Sequence, residues 1–477
     1  MPRTATAFAA LAALLALSAP AAAAARRGFV LATDYVSSGT VGVVDPASRA
    51  VTPDVAIVSP DPVARWYRGL LYVVNRFGYD NVQVIDPAQG FATVRQFSVG
   101  NGANPQDIAF ASPTKAYVSL LGSSDLLVVD PSTGATLGGI PLAAWADADG
   151  NPEAAHLAAV GDLLFVALGR LTNFVPADTG LVVVVDMRAD TVYDADPGTP
   201  GTQAVRLAGL NPGTDFARPA PAGGTGEDVH LYIGCTGRWG VLDGGVDDIV
   251  VPASGGGTSA AIRSAGFAIT EAALGGDVVD VVAGPAHPYA IVSDAAYNTE
   301  LVGWDPGSGT VLDTLYAPGG YSLPSAALDD RGELYVCNSS FSAPGLFVFS
   351  AAGDTTLAGP LATGLPPIQI VFEQDSLAGP PGDPGGAGLA LAPPAPNPAR
   401  SATHLAVSLA GAGPARVEVL DLAGRRVRAL AAGPLPAGIT ELDWDLRDSG
   451  GRRVAAGLYL VRVVAAGATA TRRIVVL

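Results

Sequence analysis

A short phrase returns along the first 350 residues of the chain: two or three apolar residues, then Asp, usually Pro, then a turn containing Gly. It reads Val41-Gly42-Val43-Val44-Asp45-Pro46, Val82-Gln83-Val84-Ile85-Asp86-Pro87, Leu127-Val128-Val129-Asp130-Pro131, Val183-Val184-Val185-Asp186, Val241-Leu242-Asp243 and Val302-Gly303-Trp304-Asp305-Pro306. A seventh, degenerate copy is Leu346-Phe347-Val348-Phe349-Ser350. The spacings between anchors are 41, 44, 56, 57, 62 and 45 residues, the length of one four-stranded blade with longer loops in three copies. The expected fold is all-β, a seven-bladed propeller, and such a ring places function at a predictable face without specifying it.

Most copies follow a partner strand of similar composition, such as Leu71 to Asn75, Ala116 to Leu120, Leu164 to Leu168, Leu231 to Cys235, Ala290 to Asp294 and Leu334 to Asn338. β-Branched and aromatic residues there favour buried strands. Pro ends the next strand because it cannot donate to the ladder, and Asp caps the turn through its side chain. These aspartates are therefore turn residues first. The first copy, Phe29 to Tyr35, has no inner strand before it, whereas Pro367-Ile368-Gln369-Ile370-Val371-Phe372 stands unpaired at the far end. That segment is expected to complete the first blade and remove an exposed edge.

The propeller is expected over residues 26–377, a Pro/Gly linker over 378–400 and a small Ig-like sandwich over 401–477, with Trp444 and Tyr459 as core aromatics. Residues 1–25, with Arg3, an Ala/Leu run and a small-residue stretch, have the layout of a signal peptide. No later stretch of apolar residues is long enough for a membrane span. The expected location is secreted or outer cell surface, with the periplasm as the other compartment. Cys235 and Cys337 fall in equivalent strands of non-neighbouring blades, which suits separate buried thiols. Residues 26–390 carry a net charge of −23 and residues 391–477 a net charge of +5. An acidic body repels nucleic acid and favours cations or basic partners.

Two resemblances follow. Pro396-Asn397-Pro398, Val417-Glu418-Val419-Leu420-Asp421-Leu422-Ala423-Gly424-Arg425-Arg426-Val427, then Trp444, Asp448, Gly451, Val454, Gly457, Leu458, Tyr459 and the closing Arg472-Arg473-Ile474-Val475-Val476-Leu477 resemble the C-terminal Ig-like modules of exported bacterial proteins. That family is related to the FlgD Ig-like fold and to type IX secretion (T9SS type A) sorting domains. The resemblance implies export or surface-attachment machinery as a partner of this module. Ala399 stands where the family usually has an aromatic, and the chain closes on Leu477 rather than a basic residue. Tyr72-Val73-Val74-Asn75 and Tyr335-Val336-Cys337-Asn338 resemble, more loosely, the YVTN-type propellers of bacterial surface proteins, which include lactonase-like enzymes, redox proteins and proteins without catalytic activity.

Loops at one mouth of the channel hold the candidates. For ligand binding these are Asn75, Arg76, Gln106, Asp107, Asp294 and Asn338, with Asp34 and Asn298 nearby. Asp147, Asp149, Asn151 and Glu153 alternate with small residues and resemble part of a calcium loop, so Ca²⁺ is the one cofactor suggested. Glu153 and His156 are the candidate acid/base residues, expected on opposite sides of a strand. Trp66, Tyr67, Trp239 and Tyr321 are candidates for a platform binding carbohydrate or peptide. No Walker loop, nucleophile elbow or Cys-x-x-Cys is present. The leading expectation is a non-enzymatic binding protein with an acidic face, taking a protein, peptide or carbohydrate; the alternative is an exported, divalent-metal-dependent lactonase-like hydrolase.

Overall fold

The structure, a computed structural model, describes residues 26–176, 178–219, 227–253, 261–350, 352, 355–373, 389–391, 399–409, 413–421, 425–435, 438–465 and 468–477. The expected signal peptide and the Pro396-Asn397-Pro398 entry lie outside the described residues.

Seven antiparallel sheets form the blades. Blade 1 runs from Pro367–Phe372 inside through Gly28–Thr33 and Gly39–Asp45 to Ala50–Val58 outside. Blade 2 is Pro62–Tyr67, Leu70–Asn75, Asn81–Asp86 and Ala92–Ser98; blade 3 is Pro105–Ser112, Lys115–Leu120, Asp125–Asp130 and Ala135–Pro141. Blade 4 is Ala154–Val160, Leu163–Leu168, Leu181–Asp186 and Thr191–Tyr193, with Val205–Arg206 also on its third strand. Blades 6 and 7 follow the same order, with inner strands Asp277–Val282 and Ala326–Leu328. The Asp-Pro phrase acts as a turn device. Asp86, Asp130 and Asp305 each accept a backbone N–H two residues on, at 2.8, 2.8 and 2.9 Å. Gly90, Gly134 and Gly309 then take the left-handed backbone, at φ 65°, 82° and 64°, that closes the turn.

The ring closes through the C-terminal strand. Gly28 pairs with Phe372 and Leu31 with Gln369. Glu373 clamps the joint by accepting from the Arg27 backbone N–H at 2.9 Å and from its guanidinium at 2.9 and 2.6 Å. Neither end of the ring leaves a free inner edge.

Blade 5 corrects the sequence reading. Its strands are Val229–Cys235, Gly245–Val251 and Arg263–Thr270, so Val241-Leu242-Asp243 is not a strand end. Val241 and Leu242 are exposed and Leu242 has φ 56°; Asp243 caps a loop by accepting from Arg238 N–H at 2.8 Å. The fifth phrase is Ile249-Val250-Val251-Pro252, in which Val251 stands where five of the other copies have Asp. Asp247 hid it: this carboxylate is buried inside the strand and accepts from Ala208 N–H at 2.5 Å and the Ser264 hydroxyl at 2.6 Å. The inner position of the blade is held by two bridges, Pro212 to Cys235 and Ala217 to Tyr232.

The C-terminal module pairs a sheet of Leu389–Leu391, Thr403–Leu409 and Gly438–Trp444 with one of Arg426–Leu435, Gly413–Leu420, Gly457–Ala465 and Ala468–Val476. Trp444 is fully buried, donates its indole N–H to Arg447 O at 3.0 Å, and meets Tyr459 edge-on at 5.4 Å. Leu389–Leu391, expected within the linker, is a strand of this module because Leu391 finds a place in its core.

Candidate functional site

In each blade the start of the inner strand and the end of the second strand lie side by side. Arg76 N–H donates to Asp61 O, Leu121 to Asn104 and Ser339 to Ser322, at 3.1, 3.0 and 2.7 Å. The turns leaving the second strands therefore share one face of the ring with the loops that enter the inner strands. Six of the seven such turns carry an exposed aromatic on that face: Tyr35, Phe77, Phe174, Trp239, Tyr297 and Phe341, exposed by 57, 75, 82, 41, 58 and 101 %. Val36, Tyr79, Val175, Val241, Leu242 and Tyr321 add exposed apolar area beside them. Blade 3, with Leu121-Gly122-Ser123-Ser124, is the exception.

The backbone sets these rings outward against its own preference. Tyr35, Phe77, Phe174 and Tyr297 adopt φ of 61°, 40°, 63° and 61°, a region that costs a bulky L-residue roughly 1–2 kcal/mol. At Tyr35 and Tyr297 capping hydrogen bonds impose it. Asp34 accepts from Val36 and Ser38 N–H at 2.8 and 3.0 Å, and Asp294 accepts from Ala296 and Asn298 N–H at 2.8 Å each. Hydrogen bonds from Ser37 and from Asn298 hold the Asp34 and Asp294 carboxyls, respectively, below the usual range. At Tyr35, Phe77, Phe174 and Tyr297 a costly backbone conformation coincides with a ring left in water rather than in the core.

Beneath this face the inner strands enclose a channel cavity of about 330 Å³. Arg65 crosses it, with Nε 2.8 Å from Asp107 Oδ1 and Nη2 2.9 Å from Asp107 Oδ2 and 2.6 Å from Asp215 Oδ1. His156 Nδ1 lies 2.8 Å from the same Asp215 oxygen. Asp107 also accepts from Ile108 and Leu157 N–H, at 2.7 and 3.0 Å, linking blade 3 to blade 4. Burial pushes the Asp107 carboxyl up against the pull of Arg65; Asp215, despite burial, is held well below the usual range by Arg65 and then His156. Asp280 bridges blades 6 and 7 by accepting from Ala326 N–H at 2.9 Å, and burial raises its pKa to about 7.

The sequence candidates divide. Asp107 and His156 meet in the channel. Asn75 and Asn338 are buried loop staples: Asn75 accepts from Ser59 N–H at 3.0 Å, and Asn338 accepts from Ser340 N–H at 2.8 Å while donating to the Tyr316 hydroxyl at 2.7 Å. Arg76 bonds Gln106 at 3.3 Å and pairs with Asp61 at the channel mouth. Glu153 turns away from His156, accepts from Leu171 N–H at 2.8 Å and is raised to about 7 by burial, then by Asp149 and Asp147. Asp147 is engaged by Asp149 N–H at 3.2 Å and the Thr172 hydroxyl at 2.8 Å, Asp149 by Asn151 N–H at 2.9 Å, and Asn151 donates to Leu121 O at 2.7 Å. These four residues bond within their loop and to Leu121, Leu171 and Thr172 of neighbouring segments, and the carboxylates of Asp147, Asp149 and Glu153 do not all come within 4.8 Å of one another. Among the described residues the one group of three or more His, Cys, Asp or Glu side chains with ligand atoms within 4.8 Å of one another is Asp107, His156 and Asp215, and the Arg65 guanidinium already supplies the positive charge there. Trp66 and Tyr67 are core residues, stacked on Phe29 at 5.0 Å and on Phe110 at 4.2 Å, so they leave the platform to Trp239 and Tyr321.

Arg65, Asp215 and Asp280 were not among the sequence candidates. The signal for Arg65 was present as a lone cation inside the apolar strand Val63-Ala64-Arg65-Trp66. Asp215 lies 150 residues from it with no local pattern.

Residues 399–469 match the FlgD Ig-like domain, so the C-terminal module is an Ig-like domain of that kind joined to a β-propeller. No curated protein matches the chain. Among solved structures it is similar to a protein described as a 6-phosphogluconolactonase from Bacteroides uniformis, at 12% identity and TM-score 0.49, covering 73% of this chain and 100% of that one. It is also similar to the dihydro-heme d1 dehydrogenase NirN (12%, 0.48, 74% and 76%) and to the Cps50 (Swd1) β-propeller domain of Myceliophteria thermophila (14%, 0.46, 65% and 93%). No helix among the described residues is long and apolar enough to cross a membrane.

Proposed function

We propose that this protein is a secreted or cell-surface binding protein whose propeller captures a polypeptide on the aromatic-rimmed loop face. The Ig-like module serves its sorting or surface attachment. The observation that carries the reading is the recurrence of exposed aromatics on six of seven equivalent turns, four of them in costly backbone conformations. Val36, Val175, Val241 and Leu242 beside the rings favour a polypeptide over a carbohydrate. Aliphatic side chains offer sugars no stacking face, whereas mixed aromatic and aliphatic anchors are the usual core of a protein interface. The channel supports a stabilising role for its charges: Arg65 of blade 2 is tied to blade 3 through Asp107, to blade 5 through Asp215 and, via Asp215, to His156 of blade 4.

The test is selection from a displayed peptide library on the full chain, followed by binding to a variant with Tyr35, Phe77, Phe174, Trp239, Tyr297 and Phe341 all changed to Ser. Selected peptides are expected to bind the natural chain and to lose the variant. Equal binding to both would refute the reading. For the module, chains with and without residues 391–477 are expected to differ in where they are found after expression, and identical location would reduce it to a spacer.

A further inference from the structure

Three of the exposed rings do not stand alone. Trp239 and Tyr297 lie nearly parallel, 19° apart with centroids 6.2 Å apart, and Tyr321 meets Trp239 at 60° with centroids 5.9 Å apart. They come from three segments: the blade 5 turn, the blade 6 turn and the loop from blade 6 to blade 7. We propose that Trp239, Tyr297 and Tyr321 form a receptor for a cationic side chain, an arginine or lysine of the polypeptide bound on the loop face; the proposal rests on that reading of the face.

The corner is built in advance of any ligand. Gly240 N–H donates to both Asp277 oxygens, at 3.0 and 2.8 Å, which fixes the Trp239 turn. Tyr297 N–H donates to Asp294 O at 2.9 Å inside its capped turn, and Gly320 N–H donates to Asn298 Oδ1 at 2.9 Å, tying the Tyr321 loop to it. The rings remain 41, 58 and 54 % exposed, so each keeps part of its area in water. A cation needs only to sit within about 6 Å of each centroid, facing the negative side of each ring. Asp243, Asp277 and Asp294 lie on or against the same turns, and Arg238, next to Trp239 in the chain, is already paired with Asp243 at 2.9 Å. The net charge of −23 over residues 26–390 draws a basic partner toward this face.

The experiment uses the full chain and two short amidated peptides, one alternating leucine with arginine and one alternating leucine with citrulline, the neutral isostere. Affinity is read by fluorescence anisotropy at about 0.15 M salt, where a Debye length of ~8 Å mutes long-range attraction. The arginine peptide is expected to bind roughly tenfold more tightly than the citrulline peptide. Trp239→Leu is expected to remove about fivefold or more of that preference and Trp239→Phe to keep most of it. Trp239→Leu is expected to weaken the citrulline peptide less than the arginine peptide, the difference between the two losses reading the cation contact. Equal affinity of the natural chain for both peptides overturns the cation receptor while leaving the loop-face reading standing. An arginine preference untouched by Trp239→Leu also overturns it, assigning the preference to general charge. Failure of both peptides to bind would count against the loop-face reading itself.

Discussion

If the rim aromatics are there for a partner, removing them should cost the fold almost nothing. Consider Tyr35→Gly, Phe77→Gly, Phe174→Gly and Tyr297→Gly together. Each ring is 57 to 82 % exposed, so on the order of 40 Å² of apolar area per site is at stake, or about 1 kcal/mol at 25 cal/mol per Å². Glycine adds roughly 0.5–1 kcal/mol of lost chain entropy. Against these stands release of about 1–2 kcal/mol at each positive φ. The terms nearly cancel, and the four-site variant should lie within about 2 kcal/mol of the natural chain. With an unfolding entropy of ~2 cal/mol/K per residue over about 350 propeller residues, this is a shift of no more than ~3 °C in Tm. A core aromatic behaves otherwise: Phe110, fully buried under Tyr67, should cost about 3–5 kcal/mol on its own as Phe110→Ala. The assay is thermal unfolding by differential scanning calorimetry, beside binding of a peptide selected on the natural chain. Retained Tm with lost binding is expected. A fall comparable to several Phe110→Ala changes would show that the rings hold the fold together and would refute the argument.

Three other outcomes follow from the channel and core. Arg65→Met leaves the buried Asp107 without its guanidinium and should cost about 3 kcal/mol; adding Asp107→Asn should restore part of the loss, and no recovery in the double variant would contradict the charge argument. Asp280 has a folded pKa of about 7, above its unfolded value near 4. The native state therefore binds the extra proton between those values, and stability should fall as pH rises from about 4 to about 7. Glu153 and Glu271, also near 7, add to the trend; Asp280→Asn should flatten the slope seen by denaturant titration, and an unchanged slope would contradict it. Cys235 and Cys337 are unpaired and fully buried, and burial pushes both thiols up. A thiol reagent should find both only after unfolding, and labelling in the native state would argue against their placement.

What the sequence made legible was local. Asp-Pro-x-x-Gly turns act within five residues, so Asp86 and Asp130 could be read as turn devices from the chain alone. Blade 5 was misread for the same reason: Asp247 and Asp248 break the apolar run of the true strand, and only the contacts of Asp247 with Ala208 and Ser264 reveal why an acid is tolerated there. The channel was only half visible. Asp107 and His156 were singled out, but their partners Arg65 and Asp215 come from other blades, and pairing across 42 to 150 residues leaves no local trace. The aromatic rim did leave one. In Thr33-Asp34-Tyr35, Asn75-Arg76-Phe77, Ser293 to Tyr297 and Asn338 to Phe341, a ring follows the second strand by a few residues, a recurrence overshadowed by the more regular aspartates.

The central claim is that ligand sits on the rimmed face. A photo-crosslinking residue placed at Phe341 or Phe174, on that face, and separately at Leu137 or Leu312, exposed on outer strands, reads the position of a bound peptide directly. Crosslinks from positions 341 and 174 but not from 137 and 312 are the predicted result. Crosslinks confined to 137 or 312, with none from the rim, would contradict it.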